Sequence, residues 1–309
     1  MGLATLWTPF PSLTTDKFLS RGSAGQIFVI NDSIVFKCPT LFTNPAPEQA
    51  QESEESVKKI EREKSVYNVL MQHRHRNIVP GILCVPEGIF MQRLQCTLRA
   101  RLDNCIASPI SLETQLRWIQ QVASAMEWLE RLGYAHGDLR PANILLDAGE
   151  MIRVGDFDST VRIGEQLLVT TAPFCKLGTD YEAPLAGAVS EQYAVGSCIY
   201  NIRTGHEPFH DFDGPVMVRK LMNNEFPPTS SDHILGDVVQ QCWLGCYRSI
   251  AELEHGILMR LRDYCRRQAD GIGANIIQDC SKDSDYTEQT LVSECEAFLS
   301  RENDLLFKA

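Results

Sequence analysis

Between Glu52 and Gln72 apolar residues recur at three- and four-residue steps: Val57, Ile60, Tyr67, Leu70 and Met71. At about 100° per residue they share one stripe, which predicts an amphipathic helix. Glu63 falls inside that stripe between Ile60 and Tyr67, whereas Glu61 points well away from it. A carboxylate on a buried face needs a partner. A second periodic run, Leu112 to Leu132, predicts another long helix with Leu112, Leu116, Ile119, Met126 and Leu129 inward. Before the first helix the period changes to that of strands. Ile27–Ile30 and Ile34–Lys37 flank the turn residues Asn31-Asp32-Ser33, which predicts a hairpin ending near Lys37. Thr40 to Gln51, rich in Pro and polar residues, reads as a linker. Pro141 keeps the stretch from His136 to Asn143 out of helix, and Ile144-Leu145-Leu146 follows as a strand. A turn at Asp147–Glu150 then leads into Met151–Val154.

With 309 residues, 44% of them hydrophobic, the chain can bury a core large enough for two lobes. Its net charge of -11 argues against nucleic acid as a partner. The eleven cysteines sit mostly within apolar runs, without a secretory leader beside them, so reduced thiols and an intracellular location are expected. No run of apolar residues is long enough to span a membrane. Met1-Gly2 resembles a myristoylation start, but Leu6 stands where Ser or Thr is required. No membrane partner is expected.

The chemistry concentrates on one loop. Asp138, Arg140 and Asn143 place a carboxylate, a guanidinium and an amide within six residues. Phosphoryl transfer uses a carboxylate to orient and accept the proton of a hydroxyl, a cation near the phosphate and an oxygen for a metal ion. Asp156 follows at the end of the next strand. Gly22 and Gly25 flank Ser23 in a turn where backbone can approach phosphates closely.

These pieces, His136-Gly137-Asp138-Leu139-Arg140-Pro141-Ala142-Asn143 above all, resemble the catalytic loop of the protein-kinase superfamily. Gly22-Ser23-Ala24-Gly25 resembles its Gly-rich loop, and Lys37 with Glu63 its strand-lysine and helix-glutamate pair. Asp156-Phe157-Asp158 resembles D-F-G, and Leu177 to Leu185 the end of an activation segment. Ser190 to Gly205 resembles the long buried helix of the large lobe. The resemblance covers about residues 18 to 255. It implies an α+β, bilobal fold: a small β-rich lobe with one long helix and a larger, mainly helical lobe. The segments would be an N-terminal extension (1–17), the small lobe with its hinge (18–94), the large lobe (95–265) and a C-terminal helical tail (266–309).

By the same resemblance, Asp138, Arg140, Lys37 and Glu63 are the catalytic group, and Asn143 and Asp156 hold Mg2+. ATP would contact Gly22, Ser23, Gly25, Ile27, Val35, Lys37, Met91, Gln92, Leu94 and Leu145, with Met91 in the gatekeeper position. Thr179 would bridge toward Asp138. Arg140 stands two residues after Asp138, where Ser/Thr kinases keep Lys, so the implied substrate is a Ser or Thr hydroxyl of a protein.

Departures at Ser20, Gly137, Asp158 and Leu185 keep two alternatives open: a pseudokinase binding module, and a small-molecule kinase of the aminoglycoside or choline type. With Gly137 in place of the usual Arg, Ser159, Thr160, Thr170, Thr171 and Thr179 have no receiving cation for a phosphate, so control by activation-segment phosphorylation is not expected. Arg248 resembles the Arg that braces the segment, although its Glu partner is replaced by Leu185. His206-Glu207-Pro208-Phe209-His210 matches a zinc-peptidase pattern, but Pro208 denies it the helix it needs. Beyond the Asp270-Gly271-Ile272-Gly273 break, Leu291, Cys295, Phe298 and Leu299 predict a last helix, docked by default on the large lobe and open to a regulatory partner.

Overall fold

Successive residues of one strand belong to two different cores, and this alternation organises the small lobe. The structure, a computed structural model, describes residues 5–105, 107–178, 180–267 and 285–306. Strands β1 (Thr5–Trp7), β2 (Phe18–Arg21), β3 (Gln26–Val29), β4 (Ile34–Cys38) and β5 (Leu41–Thr43) precede helix α1 (Pro47–Leu70). Strands β6 (Gly81–Val85) and β7 (Gly88–Gln92) complete an antiparallel sheet of order β2-β3-β4-β7-β6. Every residue of β4 is buried. Val35 joins Ile89, Met91 and the Val66, Tyr67 and Leu70 face of α1, whereas Ile34, Phe36 and Cys38 join Phe28 and Phe90 on the opposite side. The period of two puts Lys37 on the α1 side.

Helix α1 starts earlier than its apolar period suggests. Pro47 opens it, because proline's fixed φ suits a first helical turn, and the Ala46 N–H donates to Gln49 Oε1. The expected linker is also part strand, since β5 pairs with β1. The buried face is Ser56, Ile60, Glu63, Val66, Tyr67 and Leu70, while Val57 is exposed. Ser56 takes the inward position because its hydroxyl donates to Ala24 O at 2.5 Å and accepts from Thr40 N at 2.7 Å.

Strand β8 (Cys96–Thr97) and helices α2 (Leu98–Asp103) and α3 (Leu112–Arg131) begin the large lobe. Short strands β9 (Tyr134–Ala135), β10 (Ile144–Leu146), β11 (Ile152–Val154) and β12 (Val161–Arg162) hold the loops between them. Then come α4 (Ala188–Thr204), α5 (Gly214–Met222), α6 (Gly236–Leu244) and α7 (Ile250–Arg267). Helix α4 is buried from Ser190 to Ile202, so it is the lobe's axis rather than its surface. No helix of the described residues is long and apolar enough to cross a membrane. The ten described cysteines are free.

The last helix, α8 (Asp285–Leu306), does not dock on the large lobe. Cys295 and Phe298 bury themselves against Phe10, Phe36 and Phe90, on the outer face of the small-lobe sheet. A sheet apolar on both faces must be covered on both, and burying a side chain such as Phe298 stabilises by roughly 1.5–3 kcal/mol. The Asp270–Gly273 break lies outside the described residues.

Candidate active site

Three charged groups converge where the lobes meet. Lys37 Nζ lies 2.6 Å from Glu63 Oε2 and 2.6 Å from Asp156 Oδ1. Glu63 arrives because α1 turns its buried face to β4, and its Oε1 also accepts the Phe157 N–H at 3.3 Å. Burial works against the Lys37 ammonium, but the charges of Asp156 and Glu63 outweigh it and hold its pKa raised. Burial, aided by the nearby Asp156 charge, pushes the Glu63 carboxyl up to about 7. Desolvation also opposes the Asp156 charge, yet Lys37 keeps that carboxyl below its ordinary value. One cation thus serves two carboxylates, and the deeper one takes up a proton first.

Asp156 has φ 64 and ψ 67, a left-handed conformation uncommon outside glycine. Phe157 anchors it, its ring 5.4 Å from both Tyr67 and His136. His136 is wholly buried, with Nε2 3.0 Å from Gly155 O. The loop it opens hangs from α4: Glu191 Oε2 accepts the His136 N–H at 2.7 Å, and Oε1 accepts that of Gly137 at 3.4 Å. Burial raises the Glu191 carboxyl, and the charge of His136 and these N–H donors pull it back.

Asp138 is held on all sides. Its Oδ2 accepts from Asn143 Nδ2 and Arg140 Nε, each at 3.0 Å. Its Oδ1 accepts a hydroxyl proton from Thr171 Oγ1 at 2.7 Å. Thr171 therefore makes the contact expected of Thr179, which lies outside the described residues. Gly137 has φ +80, and a Cβ there would stand 2.5 Å from Ser159 O, so an arginine side chain has no room. Ser159 and Thr160 are buried.

The glycine turn closes with Gly22 N–H to Gly25 O at 2.9 Å. A Cβ on Gly25 would meet Cys38 O at 2.1 Å, whereas one on Gly22 meets nothing within 4 Å. Ser23 Oγ approaches Asp158 Oδ2 at 3.5 Å. Val35 and Met91 are buried side by side in the paired strands β4 and β7, and Ile27, Leu94 and Leu145 pack half-buried on the same cluster. Gln92 donates its N–H to Pro80 O. Leu145 approaches Gly155, next to Asp156.

The far end of the activation segment is not braced by Arg248. That residue's N–H donates to Glu252 Oε2, and Leu185 is exposed. Backbone pairs between Gly164, Glu165 and Ala186 do the bracing instead, with Ser197 Oγ donating to Pro173 O and Lys176 Nζ to Trp243 O. His206 and His210 lie in a turn with their ring centroids 3.7 Å apart, not on a helix. Sequence reasoning missed Thr171 and the part played by Glu191. The one carboxylate in the helix Ala188–Thr204 was the available signal for Glu191; Thr171 gave none.

The sequence profile of the protein tyrosine and serine/threonine kinase family matches residues 47–248. Maternal embryonic leucine zipper kinase of Xenopus laevis is 26% identical over 164 residues, covering 50% of this chain and 25% of that protein. CBL-interacting serine/threonine-protein kinase 5 of Arabidopsis thaliana is 27% identical over 239 residues, covering 71% of this chain and 48% of the relative. Human serine/threonine-protein kinase MRCK gamma is 30% identical over 131 residues, 37% of this chain and 8% of its own. The chain thus spans less than half the length of these relatives. The matched residues include Glu63, the Asp138 loop, Asp156 and Glu191, set on a sheet lobe and a helical lobe, and the chain belongs to the protein tyrosine and serine/threonine kinase family.

Proposed function

We propose that this chain is an ATP- and Mg2+-dependent protein kinase acting on Ser or Thr hydroxyls of protein substrates. The observation that carries this is Asp138: a carboxylate oriented by Asn143 and Arg140 that already accepts a threonine hydroxyl proton at 2.7 Å. The donor set suits the cofactors of the family. Asn143 spends its Nδ2 on Asp138, which leaves Asn143 Oδ1 and Asp156 Oδ2 as hard oxygens without a protein partner among the described residues. Bound Mg·ATP would supply the γ-phosphoryl group and the positive charge that offsets the charge of its phosphates. Asn143 and Asp156 would hold the metal, and Lys37, fixed by Glu63, the phosphates. Asp138 orients the acceptor hydroxyl and takes its proton, and Arg140 supports the charge beside it.

Asp158 favours a second reading, a pseudokinase binding module without turnover, because this buried carboxylate approaches the glycine turn and would repel phosphates lying there. A titration with Mg·ATP followed by turnover on a generic Ser/Thr peptide and on a panel of small alcohols separates these readings. Peptide phosphorylation is expected; binding without transfer would select the module, and transfer to an alcohol alone the small-molecule kinase.

Phosphatase treatment is expected to leave turnover unchanged, as is Thr170→Ala. Thr170 is exposed, but Ser159 and Thr160 are buried and Thr171 is engaged with Asp138. A fall of about tenfold in both tests would instead mean that a segment phosphate finds a basic partner, such as Arg153 or Arg162.

A further inference from the structure

The strands that carry Lys37 and Met91 have a second buried face that takes no part in the site. Ile34, Phe36 and Cys38 of β4, Phe90 of β7 and Ile82 of β6 form it. It is closed from both ends of the described chain, by Phe10 and Leu13 ahead of β2 and by Cys295 and Phe298 of α8. Phe298 stands edge-on to Phe10 at 5.5 Å and to Phe90 at 5.8 Å. Phe36 lies 5.3 Å from Phe10 and 4.6 Å from Phe90. Four rings therefore connect the tail to the residues next to Lys37 and Met91 in the chain.

Polar contacts fix the register of this docking. Leu291, Cys295, Phe298 and Glu302 recur at four-, three- and four-residue steps and form one helical stripe. Glu302 is buried and accepts the Ser12 N–H at 3.1 Å. Asn31 Nδ2, in the turn before β4, donates to Glu294 Oε2 at 2.8 Å. A buried carboxylate is costly unless bonded, so a helix shifted by one turn would strand Glu302.

We propose that α8 is an intramolecular strap: docked, it holds β4 and β7 in the geometry that binds nucleotide, and its release weakens that binding from behind the sheet. The nucleotide rests on the kinase reading, whereas the docking does not. If only the docked state binds, apparent affinity scales with its population. By linkage, nucleotide must then strengthen the docking in return.

The test compares the full chain with Phe298→Asp and with Glu296→Lys on the exposed face of the same helix, using amide hydrogen exchange and titration with Mg·ADP. Phe298→Asp is expected to speed exchange in α8 and at Phe36, Lys37 and Phe90, to leave α3 and α4 protected, and to weaken Mg·ADP by about tenfold or more. Glu296→Lys should behave as the parent, and saturating Mg·ADP should slow α8 exchange in the parent. Should Phe298→Asp also lose α3 and α4 protection, Phe298→Ala takes its place in the same comparison. Released α8 with unchanged β4 protection and unchanged affinity overturns the proposal, as does rapid α8 exchange in the parent. A parent that binds no Mg·ADP sinks the kinase reading and the nucleotide half with it, while the exchange data still decide whether α8 fixes the strands.

Discussion

Lys37→Met and Asp156→Asn are each expected to abolish phosphoryl transfer while the chain stays folded. Among the described residues Lys37 is the one cation within 2.6 Å of both Glu63 and Asp156, so losing it would remove the proposed phosphate contact and break the link between helix and loop. Removing one partner of a buried ion pair normally costs about 3–5 kcal/mol. Glu63 escapes much of that cost, because burial has already raised its carboxyl to about 7 and it can take up a proton. A carboxyl raised on folding stabilises the fold below its unfolded value and loses that contribution as pH rises through about 7. The instability of Lys37→Met should therefore grow above neutral pH. Asp156→Asn leaves one cation to one carboxylate and would remove an oxygen of the proposed metal site. Thermal melts and ATP titrations check both variants. Turnover and ATP affinity matching the parent's, in either one, would falsify the assignment of the nucleotide site.

Asp138→Asn should lower the rate by roughly 10²–10⁴-fold, the usual share of a positioned base, with ATP binding preserved. An amide keeps the shape and can still accept from Asn143 or Thr171, but it cannot take the proton. The prediction separates Asp138 from Asp156, which is bonded to Lys37. Comparable losses of ATP affinity and of rate in Asp138→Asn would make Asp138 a structural or metal residue.

Much of the candidate site's geometry was legible in the chain because it is local or periodic. Glu63 could be placed inward by its phase on the helix, Lys37 by the hairpin that ends beside it, and Asp138, Arg140 and Asn143 by a loop that Pro141 keeps out of helix. The Lys37–Glu63 contact is then the product of one helix packing on one sheet.

Thr171 was not legible, because its partner, Asp138, is distant in sequence and the fold of the segment between them decides which threonine arrives. Nor was the bracing of the activation segment, which uses backbone pairs that carry no side-chain signature. Pro47 looked like part of a linker and is a helix start, because a proline suits either role and the residues C-terminal to it choose between them. The sequence by itself determined that Ile34–Lys37 is one strand of a hairpin and that the last helix has an apolar stripe. Only the tertiary structure decided that this strand and that stripe cover each other, because hydrophobic burial rewards the area removed from water and carries no address for the partner.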